Sequence, residues 1–269
     1  MKQLIALSIS IALIASAASA AVLFEESFDY GNTTDNIQNV SNWSTNSGVL
    51  MYDHDGGLDH SALAGETGGS FWHDYASGSR DATNSADVNF DITIAEGSEM
   101  WFAALAEYSS GGQAEIRFSA GSVNDIGFGI DSGGNVFVEA SDNGGASADH
   151  DTGLDAAADG TTYLLLMRAT RGADGSPIAS TIDFWFDPAD ASSLAALGAA
   201  DWTTGADSKW GRDSQANYGS VLVEPAYDAR VDEIRVGESL ADLNVVPEPA
   251  TMSLLGLGGL VVLRRRRNR

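Results

Sequence analysis

Side chains alternate along this chain with a period of two, and helical periodicity is scarce. Val88, Phe90, Ile92 and Ile94 fall on one side of an extended backbone, while Asn89, Asp91 and Thr93 fall on the other. Ile182, Phe184 and Phe186 alternate in the same way with Asp183, Trp185 and Asp187. Successive side chains of a strand point to opposite faces, so such segments suit strands with one face on a core. The same reading predicts strands at 22–28, 70–75, 100–107, 114–119, 125–130, 135–140, 161–170, 220–224 and 229–236. Clusters of Ser, Gly, Asp and Asn at 109–112, 131–134 and 142–145 supply the turns. The alanine-rich stretch 192–197 predicts one short surface helix. Many short strands at regular spacing predict an all-β fold, a two-sheet antiparallel sandwich forming one domain over residues 21–243. No internal repeat is evident, which argues against a propeller or a solenoid.

Charge and cysteine content exclude several chemistries. Residues 21–245 hold 8 of the 14 basic and 37 of the 38 acidic residues, a net charge of −29. That surface repels nucleic acid and anionic lipid. With no cysteine in the chain, disulfides, zinc–thiolate sites and thiol catalysis are all ruled out. About 220 residues bury enough surface to fold without staples.

The two ends are transport signals by composition. Lys2, an apolar run over 4–15 and the small residues Ala18, Ser19 and Ala20 predict a secretory signal peptide at 1–20, cleaved before Ala21. At the other end, Pro247, Glu248 and Pro249 precede an apolar run over 250–263, then Arg264, Arg265, Arg266 and Arg267. The run is shorter than the roughly 20 residues of a comfortable spanning helix, and the arginines favour a cytoplasmic position. This order resembles the PEP-CTERM sorting signal, a tail spanning 246–269 with a short hydrophobic helix. The resemblance implies Sec export and recognition by an exosortase-type membrane protease of a Gram-negative bacterium. It also implies transient anchoring in the inner membrane, contact with membrane only through the tail, and release to the cell surface or extracellular matrix.

Four further segments carry a second resemblance: the opening strand 23–29, the run 163–168, the strand and turn 182–188, and the closing strand 231–237. Together they resemble the concanavalin A-like, laminin-G-like jelly roll. That resemblance implies a sandwich whose first and last strands pair, and a face that contacts glycans.

Catalytic patterns are missing. No glutamate has an aspartate two positions later, so the Glu-x-Asp-x-x-Glu strand of laminarinase-type hydrolases is absent. There is no Gly-x-Ser-x-Gly elbow, no His-x-x-x-His pair among His54, His60, His73 and His150, no Walker loop and no dinucleotide fingerprint. Two constellations remain. Trp185, opposite Phe184 and Phe186 and beside Asp183, is the candidate aromatic platform for a sugar ring. Asp232, sharing a face with Ile234 and Val236 in a regular strand, points inward and needs a partner. The resemblance implies a structural calcium near the junction of the first and last strands. A bulge or an arginine partner, Arg230 or Arg235, answers the same need. The acidic segments 53–59, 131–135 and 149–151 are weaker metal candidates, because Asp-Gly turns are ordinary loop chemistry.

The resulting expectation is a non-enzymatic, sorted surface or matrix protein, serving adhesion, polysaccharide contact or structure in a biofilm matrix. Its rivals are a polysaccharide hydrolase with an unrecognised carboxylate pair and a spacer that binds nothing.

Overall fold

Fifteen strands, numbered in chain order, make up nearly all the regular structure of the computed structural model among the described residues. Those residues are 22–30, 43–45, 51–54, 56–63, 69–73, 86–119, 125–141, 147–156, 158–172, 180–204, 217–226 and 228–243. Sheet A runs β13 (Trp202–Thr203), β12 (Thr181–Phe186), β11 (Thr161–Thr170), β6 (Glu99–Tyr108), β15 (Arg230–Gly237), β4 (Ser70–His73) and β3 (Met51–His54), with β1 (Val22–Glu26) also on β15. Sheet B runs β10 (Ser147–Asp155), β9 (Asn135–Ser141), β8 (Ile126–Ile130), β7 (Gln113–Ser119), β14 (Asn217–Ala226), β5 (Ala86–Thr93) and β2 (Ser44–Thr45). Every pairing is antiparallel, giving the predicted two-sheet sandwich. The first and last strands pair, Phe24 with Val236 and Glu26 with Ile234, as the jelly-roll resemblance implied.

Inward-facing positions of both sheets meet in one apolar layer. Phe102, Ala104, Leu165, Met167, Phe184 and Val236 from sheet A face Ile116, Phe118, Phe128, Val138 and Val221 from sheet B. Phe102 and Phe118 lie 4.5 Å apart between ring centroids, a tilted contact worth about 1 kcal/mol beyond burial.

Sheet A is also covered on its other face. Trp101, Ala103, Leu105, Leu164, Leu166 and Trp185 pack there with Leu58, Ala62, Leu63, Ala191, Leu240 and Leu243. The covering residues come from three places: 56–63, the stretch around the short helix α1 (Leu194–Leu197), and the 3-10 turn Leu240–Leu243. Burial on both faces is why β6 and β11 read as nearly continuous apolar runs rather than alternating ones. Helix α1 falls within the predicted stretch, and Ser193 caps it by accepting from the Ala196 amide at 3.1 Å.

One strand departs from the regular phase. The β15–β6 register shifts between Asp232 and Arg235, and Glu233 adopts φ 49°. This bulge places Val231, Ile234 and Val236 in the inter-sheet core. Asp232 therefore does not share a face with Ile234 and Val236, which corrects the regular-strand phase. The extra residue turns its carboxyl toward the covered outer face, where the Leu58 amide meets it.

Candidate functional site

The outward positions of β7, β8 and β9 form a polar surface on sheet B. Alternation in β7 sends Ala114, Ile116 and Phe118 into the core, leaving Gln113, Glu115 and Arg117 outside. Strand register then aligns two rows. Glu115 lies opposite Gly129, which lies opposite Phe137, which lies opposite Asp151. Arg117 lies opposite Gly127, which lies opposite Glu139. The arginine Nε donates to Glu139 Oε2 at 2.6 Å, and its Nη2 donates to Glu115 Oε1. Gln113 donates to the second oxygen of Glu115 at 2.7 Å. Both glutamates are buried, at 4% and 1% exposure, so only hydrogen-bonded pairing with a cation makes their position tenable.

Glycine supplies the floor. A Cβ on Gly129 would stand 2.4 Å from the Ala114 carbonyl and 2.8 Å from Cζ of Phe137. A Cβ on Gly127 would stand 2.6 Å from the Ile116 carbonyl. Beside this floor, Gln113, Glu115, Asp131, Asn135, Phe137 and Asp151 line an open cleft of about 210 Å³. Its rim is a built turn. Asp131 Oδ1 accepts from the amides of Gly133 and Asn135 at 2.8 and 2.9 Å, and Asn135 Nδ2 donates to Oδ2 at 2.8 Å. The cleft thus offers three carboxylates, two side-chain amides and one aromatic ring, while the nearest cation is engaged by two glutamates. Such a set accepts hydrogen bonds from hydroxyl-rich or cationic groups and repels anions.

Comparison with known proteins bears on the C-terminal end. The PEP-CTERM protein-sorting motif matches residues 245–267. This stretch is a PEP-CTERM sorting signal. The signal implies export, sorting to the cell surface and processing by an exosortase-type membrane enzyme. No curated protein matches the chain in sequence. Solved structures with a similar chain course include endo-1,3-β-glucanase from Streptomyces sioyaensis (12% identity, covering 82% of this chain and 97% of that one, TM-score 0.49). Domain 4 of an extracellular arabinanase from Geobacillus stearothermophilus, solved with arabinotriose, is another (12% identity, 84% and 98% covered, TM-score 0.48). Bacillus licheniformis β-glucanase is a third (11% identity, 83% and 100% covered, TM-score 0.42).

The motif residues Pro247, Glu248, Pro249, Arg264, Arg265, Arg266 and Arg267 fall inside the PEP-CTERM match and lie outside the described residues. The signal peptide expected at 1–20 also lies outside the described residues. Trp185 and Asp183 do lie on the face opposite Phe184, but that face is covered. Trp185 is 2% exposed and stacked on Trp101 at 5.5 Å. Asp183 pairs with Arg168 at 2.5 Å, and that guanidinium lies 5.8 Å from the Trp185 ring. Trp185 is therefore a packing residue of the second apolar cluster, not an accessible sugar platform. Period-two alternation reports which face a side chain takes, and nothing in it reports what other segments lay over that face.

Asp232 is 1% exposed, and both oxygens accept from backbone amides: Leu58 at 2.8 Å and Glu233 at 2.7 Å. Burial pushes its carboxyl up to about 8, against the lowering pull of those two amides. Calcium asks for six to eight oxygens. Here the neighbouring cation is already Arg235, whose Nη2 donates to Glu233 Oε2 at 2.6 Å and whose Nε lies 3.3 Å from Glu25. The residues around Asp232 do not fit a calcium ion. Among the described residues no group of three acidic, histidine or cysteine side chains is arranged to hold a metal. Of the acidic segments, Asp131 completes its own turn, Asp53 falls in β3, and Asp149 and Asp151 fall in β10.

Sequence reasoning missed Glu115, Arg117 and Glu139. The signal was present in Gly127 and Gly129, two glycines at strand spacing, which mark close approach of neighbouring chain. The alternation of Gln113, Glu115 and Arg117 with Ala114, Ile116 and Phe118 marks the same surface.

Proposed function

We propose that this chain is a surface-sorted, non-enzymatic protein whose body contacts extracellular polysaccharide through the outer face of sheet B. The observation that carries the reading is the glycine-floored cleft beside the Glu115–Arg117–Glu139 cluster. Glycoside hydrolysis needs one carboxylic acid to give a proton and a second carboxylate to act as base or nucleophile. Here the two buried glutamates accept from one guanidinium, an arrangement suited to holding a surface rigid. The carboxylate lining favours uncharged or cationic glycans and opposes uronic-acid and sulfated polymers.

Affinity electrophoresis of the exported protein in gels containing neutral or anionic polysaccharides tests this. Retardation by a neutral polymer, weakened in Asp151→Arg, is the expected outcome. The substitution places a guanidinium at the exposed rim, where it pairs with the cleft carboxylates and fills the opening. Equal retardation of wild type and variant, or retardation by anionic polymers alone, would overturn the assignment.

A further inference from the structure

Two buried oxygens lie at one end of the sandwich, where β8 and β14 begin. Tyr218, the second residue of β14, stands opposite Ile92 of β5 and is fully buried in the inter-sheet core. Asp125 directly precedes β8, whose first residue Ile126 stands opposite Phe118. The pairing of Ser220 with Ser119 brings Tyr218 and Asp125 past the same end of β7. Neither the Tyr218 hydroxyl nor Asp125 Oδ1 has a hydrogen-bond partner among the described residues, although both atoms are buried. Arg171, just after β11 of sheet A, closes the same end. Its backbone bonds to Gly97 and Ser98, and its Nη1 donates to the Ile94 carbonyl at 2.9 Å, one residue beyond β5.

The three groups lie within one another's electrostatic reach. Burial, and after it the Asp125 carboxylate, push the Tyr218 phenol far above its ordinary range, against the lowering pull of Arg171. The phenol therefore keeps its proton and has one to donate. A buried hydroxyl or carboxylate oxygen left unpaired costs its full loss of hydration. A direct bond from Tyr218 to Asp125 would remove both costs, yet the two oxygens are not bonded. Polar groups held apart in this way, beyond hydrogen-bond distance but facing one buried end, are the setting in which water bridges. We infer that an ordered water is a structural ligand of this sandwich, held between the Tyr218 hydroxyl and Asp125 Oδ1 where the two sheets close. It accepts from Tyr218 and donates to Asp125, tying β14 to the start of β8 with Arg171 of sheet A alongside. A cation there is opposed by the Arg171 guanidinium, and an anion by the Asp125 carboxylate. A neutral molecule that is both donor and acceptor suits a phenol and a carboxylate together.

The test is thermal unfolding of the exported protein as wild type, Tyr218→Phe, Asp125→Ala and the double variant. Loss of the bridge in Tyr218→Phe is expected to lower the melting temperature by roughly 2–6 °C. The double variant is expected to fall by less than the sum of the two single changes, because both remove the same bridge. An unchanged or raised melting temperature in Tyr218→Phe means that the hydroxyl is buried dry, and overturns the inference, as does strict additivity. A high-resolution crystal structure of the wild-type protein decides the matter even if a variant fails to fold. Water density within hydrogen-bond distance of both oxygens supports the site. A direct Tyr218–Asp125 bond, a bound ion or a dry contact overturns it.

Discussion

Asp232 shows what a single buried carboxyl does to the molecule. Its ordinary value of 3.8 rises to about 8 in the folded chain, chiefly by loss of water. Between those values the folded state holds more protons than the unfolded state, so stability falls as pH rises. The contribution is complete below about 3.8 and is lost as pH passes through about 8. Its size is on the order of a few kcal/mol, since a tenfold difference in proton affinity corresponds to about 1.4 kcal/mol. Thermal unfolding across that range should show a falling melting temperature in wild type and a shallower slope in Asp232→Asn. Parallel slopes would mean that the carboxyl stays ionised when folded. The sequence did show that this residue needed a partner. Which face it took depended on one extra residue at Glu233, and a bulge leaves no trace in period-two alternation. Trp185 illustrates the same boundary: its face was legible, its cover was not.

At the scale of elements, the legible strands were those with a strong apolar signal. Strands β6, β11 and β12 are central or doubly covered, and their residues announce it. By contrast β10, with the sequence Ser-Ala-Asp-His-Asp-Thr-Gly-Leu-Asp, pairs with β9 alone among the described residues, and Leu154 packs partly buried against the core. An edge strand with few apolar residues reads as an acidic loop, and charge on an edge also discourages pairing with other chains. Strand β8 makes the opposite point, since its glycines are required by packing. Gly129→Val forces a Cβ against the Ala114 carbonyl and the Phe137 ring, and overpacking of this kind costs about 1–3 kcal/mol. Gly153→Ala meets no atom within 4 Å and costs only the strain of φ 73°. Calorimetry should therefore show the larger fall in melting temperature for Gly129→Val. Equal falls would show that sheet B relaxes freely around the cleft floor.

For the whole molecule, the outer faces of the two sheets differ in what covers them. The outer face of sheet A is sealed by segments 56–63, 188–200 and 240–243, and the chain leaves the body there toward its sorting tail. The outer face of sheet B carries the glycine-floored cleft and its carboxylates. The fold class and the tail were legible because both rest on repeated local patterns. The cleft was not, because it exists only once strand register sets Glu115, Gly129, Phe137 and Asp151 in one row. The central claim is that this face holds polysaccharide without cutting it. Incubation of the exported protein with an insoluble neutral polysaccharide, followed by sedimentation and a reducing-end assay over many hours, tests it most directly. The account predicts protein in the pellet and no increase in reducing ends. Soluble sugar released in proportion to protein, and abolished by Glu115→Gln or Glu139→Gln, would contradict it.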